Sequence, residues 1–523
     1  MQFIGTILAL LCLLPATPSR AQQYYFRDYQ VEDGLSHNTV FCVAQDKQGF
    51  IWAGTKDGLN RFDGREFRVF REKPGDSSAI GNNFIFSLCV DDNGQLYAGT
   101  GNGLYRYHAA TESFERAPSP AGQDANALRA DRQGNLWYLS WGHLYRFNPT
   151  KNISEPITAG YIPGNLSALH VSKKGSVWIA NAQGEIRRLG DSLRKWDVWR
   201  QSPRPHTRHI THLLSVPDGR LLVGTANQGL KLLDPEKNTY EDLVTWSDGD
   251  VGVYVRFIAH HSGSEYWIAT ESGIYIVNIA TKTHINLRKQ YNNPYSLTDN
   301  AIYCLHQDRE GGMWASSYFG GLNYYPKQYT YFEKYWPDNS GQTLSGNAVR
   351  EICQDKYGNI WAGTEDNGVN RVDVRTGRIR QYTPRNNSSK ALSHTNIHGL
   401  YADGNQLWIG TLDKGVDVMD IRTGQTVAHY SAGPESFGSN FILYFYRTRD
   451  GDMLVGTGSE LARYDSAARR FRRVEEVPHA SQRRARYGWP RRTTACNGTA
   501  SIPASMACTR TIRGILFRCR GTM

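Results

Sequence analysis

The sequence predicts an all-β fold: a seven-bladed β-propeller followed by an incomplete second propeller, about ten four-stranded blades in all. Three observations lead there. One motif recurs ten times along the 523 residues. Each recurrence carries about four strand-like runs. No amphipathic helical stretch of useful length separates the copies, which excludes helical repeat architectures.

The clearest copies are residues 46–63, 92–107 and 355–373, and weaker ones lie between and after them. The anchoring position falls at Trp52, Tyr97, Trp137, Trp178, Leu222, Trp267, Trp314, Trp361, Trp408 and Leu454, with spacings of 40 to 47 residues. In the first copy an Asp46–Gly49 turn introduces the strand Ile51-Trp52-Ala53-Gly54-Thr55, because Asp and Gly supply turn chemistry. A short turn at Asp57-Gly58 reverses the chain into Leu59-Asn60-Arg61-Phe62-Asp63, which alternates apolar and polar residues like a half-buried strand. Phe67–Phe70 gives a further strand, and Val40–Ala44 gives one before the turn. A four-stranded unit of this kind cannot cover both of its own faces, and radial closure solves that by packing each blade on two neighbours. The repeated Asp residues (46, 131, 308, 355, 403) therefore read as turn residues rather than a carboxylate cluster, and the repeated Trp residues as inter-blade core.

The ends of the chain differ from its body. Phe3–Leu14 followed by Ser19-Arg20-Ala21 reads as a signal peptide over residues 1–21, so a periplasmic or secreted location is expected. Residues 22–333 are assigned to the first propeller and 334–475 to three blades of the incomplete second. Residues 476–523 form an aberrant Arg-rich tail, expected to be disordered or out of frame. Residues 481–523 hold nine Arg and no acidic residue; without them 51 basic residues face 49 acidic ones, a net of +2. A near-neutral body gives no electrostatic case for nucleic acid as a partner.

Of the eight Cys, Cys42, Cys89, Cys304 and Cys353 fall in equivalent strands and read as buried small hydrophobes rather than disulfide partners. No C-x-x-C pair, H-E-x-x-H, G-x-S-x-G or P-loop occurs. No cofactor, metal site or catalytic residue is assigned. His206, His209 and His212 read as a satisfied surface cluster, as does the pair His260-His261.

Sites grafted on a repeat show where the pattern breaks. The third hairpin turn reads Ser140-Trp141-Gly142-His143 and the seventh Ser317-Tyr318-Phe319-Gly320, with aromatics in place of the usual polar turn. Exposed rings can stack on the apolar faces of sugars, so Trp141, His143, Tyr318 and Phe319 are the candidate ligand contacts.

The recurring run Asp46-Lys47-Gln48-Gly49-Phe50-Ile51-Trp52-Ala53-Gly54-Thr55, closed by Gly58-Leu59-Asn60-Arg61, resembles the two-component regulator propeller repeat. So do the opening Tyr24-Tyr25-Phe26 with Val31–Asn38, and the elements Ser296–Asn300 and Leu344–Asn347. The resemblance covers residues 24 to about 475. It implies the periplasmic sensor region of a hybrid two-component histidine kinase of the Bacteroidetes type, which detects polysaccharide breakdown products. In that family two seven-bladed propellers precede an immunoglobulin-like domain, a membrane span, a kinase core, a receiver and a DNA-binding domain. Only ten blades are visible here, and no kinase, receiver or helix-turn-helix motif. The chain is therefore expected to be a truncated sensor that is not itself an enzyme. An oligosaccharide is its expected ligand, membrane association would come only through the missing C-terminal part, and the intact family implies a homodimer. A tandem-propeller polysaccharide hydrolase of the xyloglucanase type and a protein-binding scaffold are the alternatives. Open blades expose strand edges, so residues beyond about 335 are expected to be marginally stable unless a partner supplies the missing blades.

Overall fold

A computed structural model describes residues 24–157, 165–189, 196–200, 209–247, 251–327, 334–338, 341–385 and 388–474. The signal segment, the Arg-rich tail and His206 lie outside the described residues. Among the described residues, ten four-stranded antiparallel sheets and one two-stranded ribbon make up the strands, with a single 3-10 turn at Val31–Asp33. The described residues form two compact units: those up to Tyr291 with Tyr295–Lys327, and Asn292–Pro294 with those from residue 334 onward.

Seven sheets belong to the first unit. Their innermost strands are Val40–Gln45, Ile85–Val90, Asn126–Ala130, Leu166–Val171, Ile210–Ser215, Val255–Ser262 and Ile302–Gln307, for blades 1 to 7. Each packs on the next, and the strand of blade 7 packs on that of blade 1, so the ring is closed. The closing blade takes only three strands from its own repeat. Its fourth is Arg27–Tyr29, paired antiparallel with Leu322–Tyr325 in the register Arg27↔Tyr324 and Tyr29↔Leu322. Tyr29 then stacks on Trp314 at 5.6 Å and meets Phe62 of blade 1 at 4.9 Å, between ring centroids. The Thr39 hydroxyl donates to the Tyr318 carbonyl at 2.6 Å, and Arg309 donates to the Lys47 carbonyl at 2.7 Å. Both bonds cross the same seam.

The recurring Asp and Trp are one device. Asp46 Oδ1 accepts the backbone N–H groups of Gly49 and Phe50, which sets the turn, while Oδ2 accepts the Trp52 indole N–H at 2.6 Å. The same indole bond is made by Trp137 to Asp131 (2.8 Å), Trp314 to Asp308 (3.1 Å) and Trp361 to Asp355 (2.8 Å). A buried Trp needs an acceptor for its N–H; the turn Asp provides it and frees the ring to fill the space between blades. Trp52, Trp267 and Trp361 are fully buried. Gly54 is required by the same packing, since a Cβ there would lie 2.5 Å from Cys42 Sγ and 2.7 Å from Ile85.

The second unit contains blades 8 to 10, with innermost strands Val349–Gln354, Ile397–Asp403 and Ile442–Arg447. Blade 8 packs on 9 and 9 on 10. Where Val40–Gln45 is almost wholly buried, Val349–Gln354 has no fully buried residue, and Tyr444 and Tyr446 of blade 10 are partly exposed. Trp408 is buried without an acceptor for its indole N–H; Asp403 stands five residues before it, not six as Asp46 does before Trp52, and is engaged by Arg447.

Candidate functional site: an aromatic mouth on the first propeller

Almost every innermost strand of the first unit opens with the same irregularity. The register with its neighbour slips at Val40/Cys42, Ile85/Ser87, Leu166/Ala168, Ile210/His212, Val255/Phe257 and Ile302/Cys304. A β-bulge leaves one residue unpaired and re-aims its side chain. The bulged residues are Phe41, Phe86, Ser167, Thr211, Arg256 and Tyr303, one per blade. In blade 3 the slip lies between Asn126 and Arg129 and takes Ala127 to a φ of 53°. Ser167 and Thr211 donate to the inner-strand carbonyls of Ile210 and Val255, each at 2.6 Å, and so act as inter-blade ties.

The remaining bulges cluster. Phe41 meets Phe86 at 5.7 Å and Tyr303 at 5.8 Å; Phe86 meets Phe84 at 6.0 Å. Tyr303 stacks on Tyr318 at 5.5 Å, and Tyr318 meets Phe319 edge-on at 4.4 Å. The result is a continuous chain of six aromatic rings across blades 7, 1 and 2. It is not sealed: Phe84 is 40%, Phe86 37% and Phe319 72% exposed. Arg256 bounds it on blade 6, with its guanidinium 4.6 Å over Tyr303 and 4.3 Å over Tyr254. Burial works against the Arg256 charge, but the hydrogen bond and opposite charge of Glu271, with Tyr254 and Tyr303, together outweigh this and hold its pKa above the usual value. Burial also pushes up the Tyr303 hydroxyl, keeping it a neutral donor and acceptor. Apolar ring faces beside a fixed guanidinium, a carboxylate and a phenol suit a ligand that is apolar on one face and hydroxylated at its edge.

Tyr318 and Phe319 belong to this cluster. Trp141 and His143 sit on blade 3, outside its chain of ring contacts. Trp141 is 65% exposed and holds a positive φ of 46°, followed by Gly142 at 75°. This two-residue turn with both φ positive favours Asn-Gly, not Trp. Sequence reading missed Phe41, Phe84, Phe86, Arg256 and Tyr303. A signal existed: Phe41, Phe86 and Tyr303 each stand five residues before the turn Asp of their own blade.

The histidine reading needs correction at His212. It is only 7% exposed, and Nδ1 is buried without a hydrogen-bond partner, so it is no satisfied surface residue. His260 bonds the Gly263 carbonyl at 3.1 Å and His261 pairs with Glu265 at 3.0 Å. Cys42 and Cys304 are buried, but Cys89 and Cys353 only partly. Among the described residues no group of three His, Cys, Asp or Glu is placed to hold a metal ion, and no helix is long and apolar enough to cross a membrane.

Comparison with known proteins agrees with this architecture. The sequence pattern of the two component regulator propeller family matches residues 34–57, 79–102, 296–319 and 343–366. A curated relative, Histidine kinase P4 of Formosa agariphila, is 40% identical over 82 residues, which is 15% of this chain and 6% of that protein. The match thus spans a small fraction of the relative's length. Among solved structures, the extracellular domain of a B. thetaiotaomicron protein described as a hybrid two component system superposes with a TM-score of 0.60. It is 22% identical and covers 86% of this chain and 67% of its own. The extracellular domain of a second such protein gives a TM-score of 0.52 at 18% identity, over 86% of this chain and 67% of its own. Four segments of the chain thus match two-component regulator propeller repeats, and its fold is the propeller fold seen in the extracellular domains of B. thetaiotaomicron hybrid two-component systems.

Proposed function

We propose that this chain is the ligand-sensing region of a hybrid two-component sensor histidine kinase, exported to the periplasm, and that an oligosaccharide docks on the aromatic mouth of the first propeller. The observation that carries the reading is the placement of Phe41, Phe86 and Tyr303 at bulges of three consecutive blades, with Phe319 left exposed beside them. Core packing requires no such residues there, since blades 4 and 5 hold Ser167 and Thr211 at the same point. Tyr318 and Phe319 are ligand contacts in this reading, and Trp141 with His143 a second contact on blade 3. Signalling requires that the ligand distinguish two states of the assembled, dimeric receptor; the propeller supplies the binding half of that task.

The test is titration calorimetry of the full chain against a panel of plant, algal and host oligosaccharides, repeated with Phe41→Ala and Tyr303→Ala. Loss of one stacking ring is expected to weaken binding about tenfold, equivalent to roughly 1.4 kcal/mol, with the unfolding midpoint nearly unchanged for Phe41→Ala. Undiminished binding by both variants would remove the mouth from the account. Turnover of any oligosaccharide would replace the sensor reading with a hydrolase.

A further inference from the structure

Blade 9 breaks the repeat at a buried polar position. On the third strand of blades 1, 7 and 8 that position is Asn60, Asn323 and Asn370, each fully buried. Each amide accepts the backbone N–H of a hydroxyl residue (Ser36, Thr298 or Ser345) and donates back to its hydroxyl. Blade 9 holds Asp417 there instead. Its Oδ2 accepts the Ser393 N–H at 2.8 Å, but a carboxylate has nothing to donate, and Ser393 Oγ is left without a partner. The fold's own need at this point is thus met less well by Asp417 than by Asn.

The residue across from it has changed too. Val69, Asp28 and Gln381 face the three Asn residues on the neighbouring strand, whereas His429 faces Asp417. His429 Nδ1 lies 2.7 Å from Asp417 Oδ1, and the Asp417 side chain is only 1% exposed. Two residues on, and so on the same side of the chain, Ser431 places its Oγ 3.0 Å from His429 Nε2. The carboxylate accepts only, so Nδ1 carries the imidazole proton and Nε2 accepts the Ser431 O–H. The bond to Asp417 and its charge raise the His429 pKa above 6.5, against burial and the charge of Lys414. His429 and Ser431 open on a cleft of about 540 Å³, which Gly433, Pro434 and Arg470 also line. The Ala432 and Gly433 N–H groups are taken by Asn440 Oδ1 and the Phe437 carbonyl. Arg470 is therefore the donor available to a developing oxyanion; its bond to Glu435 is made by Nη1, one part of a five-donor group.

We propose that Ser431, His429 and Asp417 form an acyl-transfer centre that hydrolyses a small acyl ester. Ser431 Oγ attacks the ester carbonyl carbon as its proton passes to His429 Nε2. The carbonyl carbon's bond to the alcohol oxygen then breaks, and His429 returns the proton to the departing alkoxide. Water, deprotonated by His429, releases the acid and restores Ser431. Asp417 is a positioning residue that fixes the imidazole tautomer. This activity goes beyond the sensing reading and rests on none of its residues.

The experiment treats the full chain with diisopropyl fluorophosphate, maps the adduct by peptide mass spectrometry, and follows 4-nitrophenyl acetate hydrolysis. The parent should carry one adduct, on Ser431, and lose its turnover with labelling. Ser431→Ala, a change at an exposed residue, should lower turnover about a hundredfold or more. Asp417→Asn restores the residue of blades 1, 7 and 8, so it should fold as the parent does. It should slow labelling and turnover about tenfold or more, and move the rise of turnover with pH, above pH 6.5 in the parent, to lower pH. Absence of an adduct on Ser431, or undiminished turnover in Ser431→Ala, overturns the proposal. An unchanged pH profile in Asp417→Asn overturns the part given to Asp417.

Discussion

Trp141 stands in a backbone conformation that a side chain with a Cβ adopts at a cost of about 1 kcal/mol or more, and it leaves its ring in water. Trp141→Asn should therefore raise the stability of the chain by about 1 kcal/mol, measured by denaturant unfolding; a loss of stability would show that the ring packs in solution. His170 makes a second prediction, with opposite dependence on conditions. Burial, reinforced by the Arg129 charge, pulls its pKa down to about 3, while the unfolded chain keeps the ordinary value of 6.5. Between those values the unfolded state binds a proton that the native state does not. Stability is therefore fully present above pH 6.5 and falls below it, by about 1.4 kcal/mol per pH unit. His306, pulled down to about 4 by burial, adds in the same direction. Unfolding midpoints at pH 7 and pH 5 should differ by the equivalent of about 2 kcal/mol for this group, and His170→Gln should shrink the difference. An unchanged difference would place the titration elsewhere.

At the scale of the strand, legibility followed recurrence. Asp46 with Trp52 and its equivalents stood out because the same two residues solve the same problem in blade after blade: an acceptor for a buried indole and a turn before it. Phe41, Phe86 and Tyr303 recur at a fixed offset too, but a bulge breaks the alternation that marks which residues face the core, so they read as ordinary strand apolars. His212 was misread because neighbouring histidines suggested a surface group, whereas the strand Ile210–Ser215 turns it inward. The closing strand Arg27–Tyr29 was hidden for another reason. Three residues with two charges carry no strand pattern, and their partner lies nearly 300 residues away. That strand covers Trp314 and Phe62 through Tyr29. A chain beginning at Val31 should lose about 3 kcal/mol or more of stability in the first unit relative to one beginning at Gln23, read from its unfolding midpoint. Equal midpoints would mean that the seventh blade closes without it.

For the molecule as a whole, the difference between the units is a difference in cover. The seven blades of the first form a ring in which each inner strand has two neighbours. Among the described residues of the second unit, blade 8 follows none and blade 10 precedes none, and exposure rises on Val349–Gln354 and Ile442–Arg447 accordingly. The four-stranded blades were legible because the repeat is regular; the mouth was not, because it arises only when bulges from separate blades converge on the axis of a closed ring. Local stability is expected to follow the same division, since amides with uncovered neighbours open more readily.

Hydrogen exchange on the full chain, with and without a saturating oligosaccharide, tests the account most directly. Without ligand, amides of Val40–Gln45 and Ile302–Gln307 should exchange more slowly than those of Val349–Gln354 and Ile442–Arg447. With ligand, added protection should appear at the starts of Val40–Gln45, Ile85–Val90 and Ile302–Gln307 and in the Tyr318–Gly320 turn. Protection gained only in blades 8 to 10, or exchange that is uniform across both units, would contradict it.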